Sequence, residues 1–238
     1  MEASSSQMAA VLAVKRLAIA KTRLSASLRT DSVRSPELVV AMLLDTLSAV
    51  RAAGLDPVVV SPDDDVLRVS AAAGAHALGE TAVRPPSLNA AYSQGTAWVV
   101  RHRGARRVLL IQADLPAATP EGLRTLLAAA APHPAAVLAD ASGLGTALLV
   151  RDIGSPVPPL FGPGSAAAHR RAGAVTLDPD GRRWAGLRTD VDTAADLQAA
   201  LALGVGPNTQ AAWGPANETG DTLRAAPPRE VRNWRDRS

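Results

Sequence analysis

Apolar positions along the chain fall into two patterns. Short unbroken runs at 9–14, 57–61, 107–112, 136–139 and 146–150 predict buried strands, and Arg107-Val-Leu-Leu-Ile-Gln112 is the strongest of them. A further strand is predicted at 187–189. Between the runs, apolar residues recur every three or four positions, the spacing of a helix with one buried face. Ser35-Pro36-Glu37 opens the first such helix with a capping residue, a proline in the first turn and an acid near the positive end, and Gly54 stops it. Asp63 opens a second helix that ends at Gly74, and a third covers 87–101. Thr119-Pro-Glu-Gly starts a fourth, and shorter helices follow at 165–171 and 193–203.

This alternation predicts an α/β protein: a single Rossmann-like domain over 9–213, with a mixed, mostly parallel sheet and helices on both faces. Residues 214–238 read as a disordered tail rich in Arg and Pro. In such sheets ligands bind outside the carboxyl ends of the strands, so the residues just after each strand are the candidates for chemistry.

Composition narrows the class. Of 238 residues, 47% are hydrophobic and only 3% aromatic, so the core must be built from Ala, Val and Leu. No apolar run approaches the roughly 20 residues of a membrane helix, and the first ten residues lack a basic leader, so a cytoplasmic protein is expected. There is no cysteine, which excludes disulfides, thiolate metal sites and a cysteine nucleophile. The net charge of +3 resides in the tail, where five Arg from Arg224 onward face Glu230 and Asp236. The body is near neutral and has no basic stripe interleaved with aromatics, so neither nucleic acid nor membrane is an expected partner.

Lysine usage is more informative. Of 25 basic residues only Lys15 and Lys21 are lysine, and both fall in the loop after the first strand, Lys15-Arg-Leu-Ala-Ile-Ala-Lys-Thr-Arg-Leu24. Lysine offers a compact point charge on a flexible stem, suited to gripping a polyphosphate. Chance is the competing explanation. Neither a Walker loop nor Gly-x-Gly-x-x-Gly is present, so phosphates would be held by cationic side chains such as Lys15, Lys21 and Arg23 rather than by glycine amides.

Other strand ends carry acids. Gln112-Ala-Asp114-Leu-Pro116 places Asp114 where a magnesium ligand or a turn cap would sit. In Thr189-Asp190-Val191-Asp192-Thr193 the period of two puts both carboxylates on one side of an extended segment. Two such charges repel unless a cation bridges them. Asp192 is equally suited to cap the helix that follows. Phe161-Gly-Pro-Gly-Ser165 leads into a helix start, either an anion site or a plain capped turn, with Ser165 able to cap and with His169, Arg170 and Arg171 adding cationic or polar reach. Asn89 either caps the third helix or reads a base edge or sugar. The four histidines lack zinc-site spacing. Together these parts suit metal-assisted transfer of a nucleotidyl group onto a phosphate. A non-catalytic nucleotide-binding domain, its acids serving only as caps, is the alternative.

The ordered set Val14-Lys-Arg-Leu-Ala-Ile-Ala-Lys-Thr-Arg-Leu24, Met42-Leu-Leu-Asp-Thr46, Gln112-Ala-Asp-Leu-Pro116, Gly145-Thr-Ala147, Phe161-Gly-Pro-Gly-Ser165 and Thr189-Asp-Val-Asp-Thr193 resembles the guanylyltransferases of deazaflavin coenzyme F-420 biosynthesis. The resemblance covers about Val11 to Trp213. It implies a nucleotidyltransferase fold of the nucleotide-diphospho-sugar transferase type. It further implies use of GTP and Mg²⁺ to guanylylate a small phosphorylated acid with release of diphosphate. By position, Asp114, Asp190 and Asp192 would hold metal, with Asp114 catalytic beside Lys15 and Lys21. Nucleotide contacts would come from Lys15, Lys21, Arg23 and Asn89, and Thr146, Gly162 and Ser165 would hold the acid. The chain departs from the family at Ala113, often Gly, and at Gly164, often acidic. Its Ala/Arg-rich composition resembles the actinobacterial branch, which implies phosphoenolpyruvate as acceptor, with 2-phospho-L-lactate and 3-phosphoglycerate as alternatives. Molybdopterin or sugar-phosphate nucleotidyl transfer is the more distant alternative, and a homo-oligomer is left open.

Overall fold

In a computed structural model of the chain the described residues are 8–16, 35–81 and 87–214. Lys21, Arg23 and the tail from 215 onward lie outside them. The strands are β1 (Met8–Ala13), β2 (Asp56–Ser61), β3 (His76–Gly79), β4 (Arg107–Ile111), β5 (Ala135–Ala139), β6 (Thr146–Asp152) and β7 (Val175–Thr176). The helices are α1 (Ser35–Ala52), α2 (Asp64–Ala72), α3 (Leu88–Arg103), α4 (Pro120–Ala130), α5 (Ser165–Arg171), α6 (Ala185–Arg188), α7 (Ala194–Leu203) and α8 (Pro207–Trp213). Among the described residues no helix is long and apolar enough to cross a membrane.

The strands form one sheet in the order β3-β2-β1-β4-β6-β5-β7. Every pairing is parallel except those made by β6, which runs antiparallel to both β4 and β5. The expected mixed, mostly parallel sheet is therefore found. The strand alternation feeds two cores, one on each face. On β1, Ala10 and Leu12 join a cluster with Leu43 and Leu47 of α1 and Leu123 and Leu126 of α4. Ala9, Val11 and Ala13 join the opposite cluster with Tyr92 and Val99 of α3. A glycine inside a helix costs about 1 kcal/mol relative to alanine, and Gly95 of α3 shows why it is tolerated. A Cβ there would lie 2.4 Å from Val11 Cγ1, so the missing side chain is what lets α3 rest on β1.

A third cluster joins Leu38 and Met42 of α1 to Val191 and to Leu197 of α7. The last helix, α8, was not among the expected elements. Its first turn is held from a distance by Asp45 of α1, which is 4% exposed and accepts from the backbone N–H of Asn208 (3.1 Å) and Thr209 (2.7 Å).

The strand expected at 187–189 is absent. Those residues belong to the end of α6, where Leu187 N–H donates to Trp184 O and Thr189 N–H to Ala185 O. Arg188 turns inward instead of alternating outward, and its Nη1 meets Asp178 Oδ2 at 3.0 Å with both side chains at least nine-tenths buried. β3 and β7 were also unforeseen. β3 is only half-buried along most of its length, and β7 has two residues, so neither presents an apolar run.

Candidate active site

The strand direction decides where the site lies. The carboxyl ends of β1, β4 and β5 share one edge of the sheet, and β6 delivers its first residue there because it runs the other way. A cavity of about 540 Å³ opens along this edge. Val14 and Lys15 line it from β1, Gln112 to Asp114 from β4, Asp140 from β5 and Thr146 from β6. Gly162 to Ser165, Asp190 and Asp192 complete it.

One half is acidic. Asp114 follows β4, and the backbone around it is pinned twice. Leu115 N–H donates to the buried Thr46 hydroxyl (3.2 Å), which donates in turn to Met42 O (2.9 Å). Asp114 O accepts from Val191 N–H (3.2 Å), which sets Asp190 and Asp192 beside Asp114. Burial pushes the Asp190 carboxyl up to about 7, helped by the negative charges of Asp114, Asp140 and Asp192. Such mutual repulsion in a cavity is what a bound cation would relieve. Among the described residues, no three carboxylates or imidazoles converge tightly enough to hold an ion by themselves.

Asp192 is not the N-cap of α7. The capping role belongs to Thr193, whose hydroxyl accepts from Asp196 N–H while the Asp196 carboxylate accepts from Thr193 N–H at 2.8 Å. Asp192 is exposed and faces the cavity. Asp140 was missed by sequence reasoning, although it ends β5 as Asp114 ends β4, and the strand-end rule would have found it. Its carboxylate accepts from the Ser142 hydroxyl (2.7 Å), and Arg188 Nη2 holds its backbone carbonyl (3.2 Å). Gly145 makes the room it needs, since a Cβ there would lie 2.1 Å from Asp140 Oδ2. Lys15 is exposed and is the cationic side chain lining the cavity among the described residues.

The other half offers hydroxyls. Thr146 opens β6 and is 2% exposed, and Ser165 opens α5 at 1%. Ser165 Oγ has no hydrogen-bond partner among the described residues. The expected Ser165 cap is not made: the capping position falls to Gly164, whose φ of +69° favours glycine. Gly162, at φ +141°, is likewise in a conformation that side chains disfavour. Asn89 does not cap α3, and it is not among the residues lining the cavity. Ser87 caps α3, while Asn89 Oδ1 accepts from Phe161 N–H (2.7 Å) and its Nδ2 donates to Phe161 O (3.1 Å), clamping the start of the turn. The reach expected of α5 is also corrected. His169 is fully buried and faces inward, and burial pushes its ring down to about 4, so it is not a cation. Arg170 and Arg171 are exposed and do not line the cavity.

The family described as "Guanylyl transferase CofC like" matches residues 8–157. The phosphoenolpyruvate guanylyltransferase of Nocardia farcinica is 45% identical over 206 residues, covering 85% of this chain and 88% of its own. That of Streptomyces scabiei is 47% identical over 210 residues, covering 87% and 95%. Among solved structures, a protein of Desulfovibrio desulfuricans provisionally described as a nucleotide-diphospho-sugar transferase superposes with a TM-score of 0.58 at 19% identity, covering 80% of this chain and 84% of that one. Rv0371c of Mycobacterium tuberculosis superposes with a TM-score of 0.50 at 19% identity, covering 84% and 100%. These two share the fold.

Proposed function

The chain belongs to the CofC-like guanylyl transferase family, and from that premise we propose that it transfers the guanylyl group of GTP to phosphoenolpyruvate. A phosphate oxygen of the acid attacks the α-phosphorus of GTP. A new P–O bond forms, the bond to the β-phosphate breaks, and diphosphate leaves with the electron pair. The product is enolpyruvyl-diphospho-guanosine, the activated acid that deazaflavin coenzyme F-420 biosynthesis would consume. The attacking group is already ionised at neutral pH, so no strong general base is required.

The observation that carries this reading is that one cavity is lined both by carboxylates, Asp114, Asp140, Asp190 and Asp192, and by the hydroxyls of Thr146 and Ser165. The acidic half, Asp114 and Asp190 with Asp192 nearby, would hold Mg²⁺, which when bound neutralises the charge developing on the phosphoryl oxygens. Lys15 adds a positive charge beside the triphosphate, and Lys21 and Arg23 are proposed to extend that grip. Thr146 and Ser165 would bind the acid with Gly162, and the positive φ angles of Gly162 and Gly164 shape the turn that carries Ser165. Positioning and charge neutralisation then supply most of the rate.

The test is turnover of GTP with Mg²⁺ and each acid in turn: phosphoenolpyruvate, 2-phospho-L-lactate and 3-phosphoglycerate. Diphosphate release that depends on phosphoenolpyruvate is the expected result. Release with another acid alone overturns the acceptor assignment, and GTP binding without turnover overturns catalysis.

A further inference from the structure

Thr146 and His169 meet at the floor of the hydroxyl half, 2% and 0% exposed. One fixed donor determines the direction of the hydrogen bonds between them. The backbone N–H of Leu160 lies 2.9 Å from His169 Nε2. An amide N–H can only donate, so Nε2 carries a lone pair and a neutral ring must carry its proton on Nδ1. Nδ1 lies 3.0 Å from Thr146 Oγ1. The ring nitrogen therefore donates, the hydroxyl oxygen accepts, and the hydroxyl proton is turned away from the ring. Among the described residues it has no other acceptor.

The ring has little freedom to escape this arrangement. Phe161 packs edge-on against it with centroids 5.4 Å apart, and the neighbouring Leu160–Phe161 backbone is clamped by both ends of the Asn89 amide. Burial keeps the ring neutral, outweighing a hydrogen bond to the backbone of Ser165 that works the other way. Protonating Nε2 would also set two donors against each other at Leu160.

We propose that His169 is a positioning residue that occupies one lone pair of the Thr146 hydroxyl and so turns its proton away from the ring toward the cavity, which favours a ligand group that can accept there, an ionised carboxylate or phosphate oxygen. This rests on the reading of Thr146 as an acid-binding residue. A ligand N–H at the same place reaches only the second lone pair of the oxygen and leaves the hydroxyl proton without an acceptor. An isolated threonine hydroxyl rotates to suit any partner; here the tautomer holds one lone pair against the ring and excludes the rotamer that would donate to it.

Two measurements test it. Long-range proton–nitrogen spectra of the wild-type protein, with His169→Gln as the assignment control, should show protonated Nδ1 and bare Nε2 at pH 7, unchanged down to pH 5. A proton on Nε2 would overturn the proposal. In kinetics, His169→Leu should raise the KM for phosphoenolpyruvate tenfold or more and leave the KM for GTP within twofold. Thr146→Val should do the same, and the double variant should be no worse than Thr146→Val alone. His169→Gln, which keeps a donor and an acceptor, should recover much of the loss. Equal rises in both KM values, or additive losses in the double variant, would reduce His169 to packing. If His169→Leu does not fold, the wild-type tautomer and the His169→Gln and Thr146→Val pair decide. Wild-type protein that turns over no acid refutes the functional reading itself, a result distinct from a wild-type protein that works and an indifferent His169 variant.

Discussion

Replacing Asp190 with Asn should make the ligand-free protein more stable while disabling it as a catalyst. The native carboxyl sits at about 7 against an ordinary 3.8. Three units at about 1.4 kcal/mol each set an upper bound of roughly 4 kcal/mol, and partial exposure to water brings this to about 2 kcal/mol. The sign follows from proton binding. Between about pH 4 and pH 7 the native protein keeps a proton that the unfolded chain has already released. The contribution is therefore fully present below about pH 4, declines as pH rises, and is gone above about pH 7. Asn has no proton to lose, so the variant lacks this slope. For a chain of this size about 2 kcal/mol corresponds to a Tm difference of roughly 4–8 °C. Thermal unfolding in a chelator from pH 5 to pH 8.5 should show the variant ahead at pH 8, with the gap closing on acidification. Turnover with Mg²⁺, GTP and phosphoenolpyruvate should fall on the order of a hundredfold or more. A variant that melts no higher than wild type at pH 8, or that keeps full turnover, refutes the placement of Asp190 in a repelling, cation-seeking cluster.

The buried His169 should produce the opposite slope. The unfolded chain takes up a proton below about 6.5 and the native ring refuses it until about 4. Stability worth up to roughly 3 kcal/mol is thus present above pH 6.5 and lost as pH falls toward 4, and urea unfolding of His169→Gln at pH 4.5 and 7 should show that loss removed. Gly95→Ala should destabilise by about 1–3 kcal/mol, because its methyl meets Val11; a companion Val11→Ala should recover part of the Tm, and no recovery would place the strain elsewhere. Asp45→Ala should cost about 3 kcal/mol by freeing the first turn of α8, seen as a lower Tm with the GTP KM unchanged. Lys15→Met should raise the KM for GTP tenfold or more and leave that for the acid alone, since Lys15 lines the cavity as an exposed cation; an unchanged GTP KM would leave the lysine pair as an accident of composition.

Much of the fold was legible because its central strands are buried on both faces. Arg107 to Ile111 needs apolar side chains at every inner position, and such a run reads unambiguously. The edge strand at His76 to Gly79 is half-covered and leaves no such trace. Leu187-Arg-Thr189 misled because three residues cannot distinguish an alternating strand from a helix end, and because the partner that draws Arg188 inward, Asp178, lies ten positions earlier. At the site, the strand-end rule located Asp114, and the Thr-Asp-Val-Asp-Thr spacing located Asp190 and Asp192. The roles of Asn89 and His169 were not legible. Each depends on a partner far along the chain, Phe161 for the first and Thr146 for the second, and on burial that neither neighbouring residue announces. Next to Arg170 and Arg171, His169 reads as one more cation; inside the protein it is the neutral member of a hydrogen-bonded pair.

The reversal of β6 puts two cavity residues on one short connection. Asp140 and Thr146 stand at the two ends of a single hairpin loop, and Ala139 pairs with Thr146 across it. The loops after β1 and β4, which are proposed to face the triphosphate, come from other connections of the chain. On the proposed reading, changes between Asp140 and Thr146 would reshape the side of the cavity that this loop lines without altering the loops after β1 and β4. The constraint on such changes is local: Gly145 must remain small, because any side chain there collides with the Asp140 carboxylate.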